Sequence, residues 1–274
     1  MVIAVGTVMG LHAAYEVFVG GTEISFDIIL TYLPVSLLYI GSMTLGYLGL
    51  RYIELSISSP ICNASGALVA ILAILTAGES YPPLVLGAIG LVCAGVIGLG
   101  IVEAREDDEL RAARQEAGNY KYAKSWLALA LPIAYCLLDA AGTFADSVVL
   151  GQIETIVTVG DYEASANVAY ELTFLLAGIV CFIYTVLIKK DKLIPKMEAP
   201  KYIGACFETV GQFAYIYAIA DTAHLAMSAP IISAYCAASV LWSRLFLKEK
   251  LSWKHYLCIA LAVIGIIIMG VFDV

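Results

Sequence analysis

Nine apolar stretches, at residues 1–20, 28–50, 57–78, 83–103, 125–149, 168–188, 202–222, 228–247 and 255–273, dominate this sequence. At a rise of about 1.5 Å per residue, some twenty residues are enough to cross the hydrocarbon of a bilayer as a helix. Membrane-spanning strands would read instead as alternating segments of about ten residues. The expected fold is therefore all-α: a polytopic transmembrane helix bundle of about nine helices, with the lipid bilayer as its first partner. Hydrophobic residues make up 61% of the chain and charged ones 14%, against roughly half and a quarter in soluble proteins. Met1 leads into apolar sequence with no basic segment before it, so no cleavable signal peptide is expected.

The cations are sorted. All fifteen Lys and Arg follow every second stretch: Arg51 after the second; Arg105, Arg111, Arg114, Lys121 and Lys124 after the fourth; Lys189, Lys190, Lys192, Lys196 and Lys201 after the sixth; Arg244, Lys248, Lys250 and Lys254 around the turn after the eighth. The connections after the first, third, fifth and seventh stretches hold none. The positive-inside rule places the basic side in the cytoplasm, the start of the first stretch inside and the end of the ninth outside. One missed helix would scramble this sorting, so it also supports the helix count.

Other classes of function find no support. The seven cysteines all lie in apolar stretches without C-x-x-C or Cys/His spacing, which fits small core residues and gives no disulfide framework, metal site or cofactor. No solvated basic domain exists to bind nucleic acid. No Gly-rich phosphate cradle is present.

Residues 41–100 align with 211–270 without a gap, at an offset of 170. Among the pairs are Gly41/Gly211, Tyr47/Tyr217, Ser58/Ser228, Pro60/Pro230, Glu79/Glu249, Gly95/Gly265 and Gly100/Gly270. The turn holding Glu79 has no basic residue, whereas the turn holding Glu249 is flanked by Lys248, Lys250 and Lys254. The two copies therefore have opposite orientation. Inverted repeats build two near-equivalent gates from one packing, the architecture of many secondary carriers. The expected organisation is a first repeat at 1–104, a polar linker at 105–124 and a second repeat at 125–274. The offset maps the first stretch onto the sixth, so the first repeat lacks a counterpart of its own first helix. The two repeats thus hold four and five helices.

Ser228-Ala229-Pro230, then Leu247-Lys248-Glu249-Lys250-Leu251-Ser252 and a Gly-rich last stretch ending at Gly270, resemble the EamA-type transporters of the drug/metabolite transporter superfamily. Ser58-Ser59-Pro60, Gly78-Glu79 and the glycines from Gly95 to Gly100 repeat the motif in the first half. The resemblance implies ten helices in two inverted five-helix repeats, a central cavity, and efflux or exchange of small metabolites across the cell (plasma or inner) membrane, by a monomer or homodimer with no enzymatic activity.

Ionisable groups at membrane depth are costly, and each is a candidate for function. The fifth stretch carries Pro132, Tyr135, Cys136, Asp139, Thr143 and Asp146 at helical spacing. Asp139 falls near mid-membrane, and Asp146 fits an outer interface as well as a cavity. The seventh stretch aligns Glu208, Gln212 and Tyr215, and the first places His12 and Glu16 one turn apart. Asn63 and Tyr235 follow Pro60 and Pro230, each expected near a helix start. The expected substrate site combines His12, Glu16, Asn63, Tyr135, Asp139, Thr143, Glu208, Gln212, Tyr215 and Tyr235, with Asp139 and Glu208 as proton-coupling candidates. A cavity of this sign favours zwitterionic or cationic metabolites such as amino acids. The tyrosines would also suit a polyspecific drug exporter. A non-transporting binding protein would not need the repeat. An intramembrane protease would need Asp139 and Asp146 in contact, and they lie two turns apart.

Overall fold

The computed structural model describes residues 1–77, 82–106, 108–116, 122, 125–158, 160–220, 232 and 235–271. The described residues form helices and no strand. Among the described residues, seven helices are long and apolar enough to cross a membrane: α1 (Val2–Gly20), α2 (Phe26–Gly49), α5 (Pro83–Arg105), α7 (Leu127–Ile156), α8 (Tyr162–Ile188), α9 (Pro195–Ala220) and α11 (Trp253–Val271). The third stretch is two pieces, α3 (Leu55–Cys62) and α4 (Ser65–Ala77). The eighth is α10, an α-helix Tyr235–Trp242 that continues as a π turn Ser243–Leu247. The polar segment after α5 holds the short α6 (Asp108–Gln115).

Large apolar side chains such as Leu11, Phe18, Leu37, Leu176, Phe207 and Leu257 lie on the outside. In water that would be a liability; against acyl chains it is the solvated state of the fold. Trp126 and Trp253 are exposed, as aromatic anchors at an interface would be.

The chain divides into two compact units, each drawing on both halves of the sequence. Unit 1 comprises Met1–Gly41 and Ala145–Thr222, and unit 2 comprises Ser42–Phe144 and Ala223–Val274. In unit 1, α1 packs against α8 and α9. In unit 2, α5 packs against α11.

Both helix pairs close on glycine, and the α5–α11 pair does so symmetrically. A Cβ on Gly95 would stand 2.6 Å from Cys258 O and from Ala262 N, and one on Gly265 would stand 2.6 Å from Ala88 O and 3.0 Å from Val92 N. Gly95 and Gly265 are repeat partners, and so are Ala88/Cys258 and Val92/Ala262. Each helix therefore presents to the other the surface that the other presents to it. The α1–α8 crossing is also glycine against glycine, though Gly6 and Gly178 are not partners at the repeat offset. Gly6 meets Phe174 O and the Gly178 Cα, while Gly178 meets Gly6 Cα and Val2 O. The reciprocal contacts of α5 and α11 are what a two-fold relation between the repeats produces.

Loop contacts support the alternation of helix direction. On the basic side, Glu249 before α11 bonds to the start of α3, Gln115 of α6 bonds to Glu54, and His255 of α11 meets Glu103 of α5. On the opposite side, Glu23 after α1 accepts from Thr158 after α7, and Asp161 before α8 accepts from Tyr217 near the end of α9. Each of these contacts joins ends that the Lys/Arg sorting puts on one face.

Two readings change. Pro60 does not open a helix: it is sixth in the eight-residue α3, and the break follows at Asn63–Ala64. Proline lacks the N–H that would bond four residues back, and past it the ladder turns to Ala64 N→Ile61 O at 3.3 Å. Its repeat partner Pro230 and the turn residue Glu79 lie outside the described residues. The segment after α5 is also less solvated than a surface linker, since Glu106 and Gln115 are both buried.

Gly95→Val forces a branched side chain into the backbone of α11 and is expected to cost about 1–3 kcal/mol. Gly90→Ala meets nothing within 4 Å and is expected to be neutral or stabilising by up to about 1 kcal/mol. Thermal unfolding of the two variants in detergent checks this: equal melting temperatures would show that the close approach at Gly95 contributes nothing.

Candidate functional site

In unit 1 the polar interior is built around two carboxylates. Asp146, on the last turns of α7, is fully buried. It accepts hydrogen bonds from Tyr32 (2.6 Å) and Tyr39 (3.0 Å). The two tyrosines stand seven residues apart on α2, so both hydroxyls leave the same helix face. The Tyr39 ring lies edge-on to Tyr170 of α8 and to Tyr215 of α9, at 6.1 and 5.9 Å between centroids. Asp146 is thus set in a tyrosine cage contributed by α2, α8 and α9.

The second carboxylate is Glu171 on α8, also fully buried. His12 of α1 donates to it from Nδ1, at 2.9 and 3.0 Å from its two oxygens. The other ring nitrogen of His12 is 3.8 Å from Glu16, which accepts from the Thr22 hydroxyl at 3.0 Å. Phe213 of α9 lies edge-on to His12. Asn167, one turn before Glu171, is fully buried beside that carboxylate, and the buried Nε2 of Gln212 has no acceptor.

Unit 2 holds a third carboxylate. Asp139 on α7 is half-buried and pairs with Ser65 at the start of α4. Asn63 occupies the break between α3 and α4 and donates to Ser59 O at 2.8 Å, with Tyr235 of α10 beside it. The Thr143 hydroxyl turns back to Asp139 O at 3.0 Å. The Tyr135 ring covers Gly46 of α2, where a Cβ would come within 2.9 Å. An apolar groove of about 560 Å³ in this unit, lined by residues such as Ile61, Leu68, Val96 and Ile133, holds none of the expected site residues.

The expected site residues therefore separate. His12, Glu16, Gln212 and Tyr215 join the carboxylates of unit 1, whereas Asn63, Tyr135, Asp139, Thr143 and Tyr235 gather in unit 2. Glu208 is half-buried on α9, within electrostatic reach of the amino end of α1. Sequence reasoning missed Tyr32, Tyr39, Asn167, Tyr170 and Glu171. A signal was available: Asn167, Tyr170, Glu171, Phe174 and Gly178 mark one face of α8 at spacings of three and four.

On the basic side of unit 2, a different set of acids serves the backbone. The Glu249 carboxylate accepts from the amides of Leu55 (3.1 Å) and Ser56 (3.0 Å) and from the Ser56 hydroxyl (2.6 Å), capping the start of α3. An anion there also meets the positive end of the helix dipole. Ligand atoms of Glu103, Glu106 and His255 lie within 4.8 Å of one another, all buried, with Ser252 bonded to His255 at 2.7 Å.

Helices long and apolar enough to cross a membrane, acids in the interior and cations in the connections mark an integral membrane protein. Residues 163–271 match the EamA-like transporter family, part of the drug/metabolite transporter superfamily, as the Ser-Ala-Pro and Leu-Lys-Glu-Lys-Leu-Ser motifs indicated. That family comprises membrane transporters rather than enzymes. No curated protein matches the chain.

Glu249→Ala leaves two amides at the start of α3 without their acceptor and is expected to cost about 1–3 kcal/mol, against about 1 kcal/mol for Ser56→Ala. Melting in detergent reads both, and a Glu249→Ala loss no larger than that of Ser56→Ala would refute the cap.

Asp161 caps α8 through the Glu163 amide at 3.1 Å. Partial burial alone would raise its carboxyl, but hydrogen bonds from the Glu163 side chain, the Tyr217 hydroxyl and the Glu163 and Ala164 amides outweigh this and hold it below the usual value. A depressed native value stabilises above the unfolded value of about 3.9 and is lost as pH falls through the native one. Asp161→Ala is accordingly expected to cost about 1 kcal/mol at neutral pH, with the gap to wild type closing below about pH 4. A gap that persists unchanged in acid would assign the stabilisation to something other than the ionised carboxylate.

Proposed function

We propose that the chain is a secondary carrier of the cell membrane that moves a small cationic or zwitterionic metabolite, an amino acid or related solute, by alternating access and in exchange for protons. The observation that carries the reading is Asp146: a fully buried carboxylate held by two tyrosine hydroxyls, in a chain whose Lys and Arg all fall in connections or at helix ends. Tyrosine donors orient an acid without cancelling its charge, which leaves a substrate ammonium or a proton to do so. The repeat and the reciprocal glycine crossing of α5 and α11 support two equivalent gates. Asp139, paired with Ser65, is a second carboxylate suited to the same task, and Tyr215 and Gln212 are the α9 groups nearest in kind to substrate contacts.

The cage of Tyr32, Tyr39, Tyr170 and Tyr215 also suits lipophilic cations, which bind over aromatic faces. That favours a drug exporter as the second reading.

One experiment separates them. Purified protein is melted with and without amino acids, amines, nucleobases and tetraphenylphosphonium, as wild type, Asp146→Asn and Asp139→Asn. A ligand at about a hundred times its Kd stabilises the folded state by about 2.7 kcal/mol. The expected result is a rise with an amine or amino acid that Asp146→Asn abolishes. A rise with tetraphenylphosphonium alone supports the drug reading. No rise with any probe at millimolar concentration, from well-folded protein, would remove the small-cation reading.

A further inference from the structure

Glu171 is a second buried acid in unit 1, with surroundings unlike those of Asp146. Its partner is an imidazole rather than a pair of hydroxyls, and that imidazole leads outward. His12 donates from Nδ1 to Glu171 at 2.9 Å, and its Nε2 faces Glu16 at 3.8 Å. Glu16 heads the π turn that ends α1, where Gly21 adopts φ 74° and the Thr22 hydroxyl closes on the carboxylate. This end of α1 lies on the side without Lys or Arg. The Glu16 and His12 side chains are 21% and 32% exposed, whereas that of Glu171 is 1%.

Further polar groups lie beside Glu171. Asn167, one turn earlier on α8, is fully buried next to its carboxylate, and the Gln212 Nε2 of α9 is buried without a partner. Gln212 immediately precedes Phe213, whose ring touches His12. Buried amides in native interiors are satisfied by protein or by water, so the Gln212 Nε2 marks a place on α9 for a water or a polar ligand atom. From α1 come His12, Tyr15 and Glu16; on α8, Tyr170 neighbours Glu171, with Tyr162 and Glu163 at the helix start; α9 brings Tyr215, Tyr217 and Glu208, with Lys196, Glu198 and Lys201 in its first turns; and the π turn ending α8 brings Tyr184. The two lysines lie at the basic end of α9, where Lys201 pairs with Glu198.

We propose that Glu171 is the proton-binding residue of the carrier, loaded from the non-basic face through Glu16 and His12. The proposal rests on the carrier reading above and assigns its coupling site to a residue other than Asp139 or Glu208. In the loading step a protonated Glu16 gives its proton to Nε2 of His12. The imidazolium then releases the Nδ1 proton to an oxygen of Glu171. One proton moves inward, Glu16 is left ionised and ready for the next from solvent, and the ring ends as its other neutral tautomer. Asp146, enclosed by tyrosines, remains for the solute.

The test needs no substrate. Full-length protein in liposomes is taken through a downward pH step while infrared difference spectra follow the C=O stretch of protonated carboxyls. The expected result is a band present in wild type and Asp146→Asn and absent in Glu171→Gln. His12→Asn should keep the band, shift its frequency through the lost imidazole hydrogen bond, and slow its appearance by on the order of 100-fold. A spectrum of Glu171→Gln identical to wild type overturns the assignment. A His12→Asn band with unchanged frequency and rate overturns the route, and this variant decides the matter alone if Glu171→Gln does not fold. Because the band is read without a ligand, its absence leaves the carrier reading standing, and failure of every ligand to bind leaves the band intact.

Discussion

Backbone touching backbone at glycine is the contact on which the rest of this fold depends. Lipid is as apolar as leucine, so helices in a bilayer gain little from hiding apolar surface from one another, and close packing has to hold them. At the α5–α11 crossing, Gly95 and Gly265 let each helix reach the main chain of the other, and Gly6 and Gly178 do the same for α1 and α8. At the α5–α11 crossing the two glycines are repeat-related positions, so one packing solution serves both helices. Gly87, Gly90 and Gly100 have open space where a Cβ would go, so glycine content alone does not identify the crossings; their reciprocity does.

The helices were legible because the bilayer imposes a length. The stretches expected at 28–50, 83–103 and 255–273 became Phe26–Gly49, Pro83–Arg105 and Trp253–Val271. The sorting of Lys and Arg anticipated which ends meet: Glu249 with Ser56, and Glu23 with Thr158. Boundaries shifted by as much as seven residues: α7 runs on to Ile156 rather than 149, α9 starts at Pro195 rather than 202, and α8 begins at Tyr162 rather than 168. The shift at α8 hid function, because the missing turn carries Asn167 and makes Glu171 look like the ragged end of a helix rather than part of a buried face.

The interior was half legible. Hydropathy flags an acid in an apolar stretch, so Asp139, Asp146, His12 and Glu208 all stood out. It cannot say which acid is enclosed, because the answer lies in partners more than a hundred residues away. Asp146 is met by Tyr32 and Tyr39, and tyrosine in an apolar stretch reads as one more hydrophobic residue until its hydroxyl is given a target. Asn63 shows the converse. It resembles a ligand-binding amide in sequence, yet its Nδ2 is engaged with Ser59 at the break after α3, so part of its hydrogen-bonding capacity goes to the chain itself.

The placement of cations carries the functional argument one step further. Lys190 and Lys248 both hold φ 58° at the ends of π turns, a left-handed conformation that costs a side chain roughly 1 kcal/mol. On the opposite side the comparable turn after α1 uses Gly21, and the repeat partner of Lys248 is Gly78. Where glycine would be easier, lysine is kept, and it is kept on the side that the positive-inside rule makes cytoplasmic. The chain thus spends its positive charge on orientation. The buried acids Asp146 and Glu171 are left with neutral hydroxyls and a single imidazole, although Lys or Arg could have neutralised them permanently. A permanent cation would fix such an acid in one state. In a low-dielectric interior, an acid without one can be completed by something that comes and goes, a proton or an organic ammonium, and a carrier requires an interior whose charge is completed only in part of its cycle.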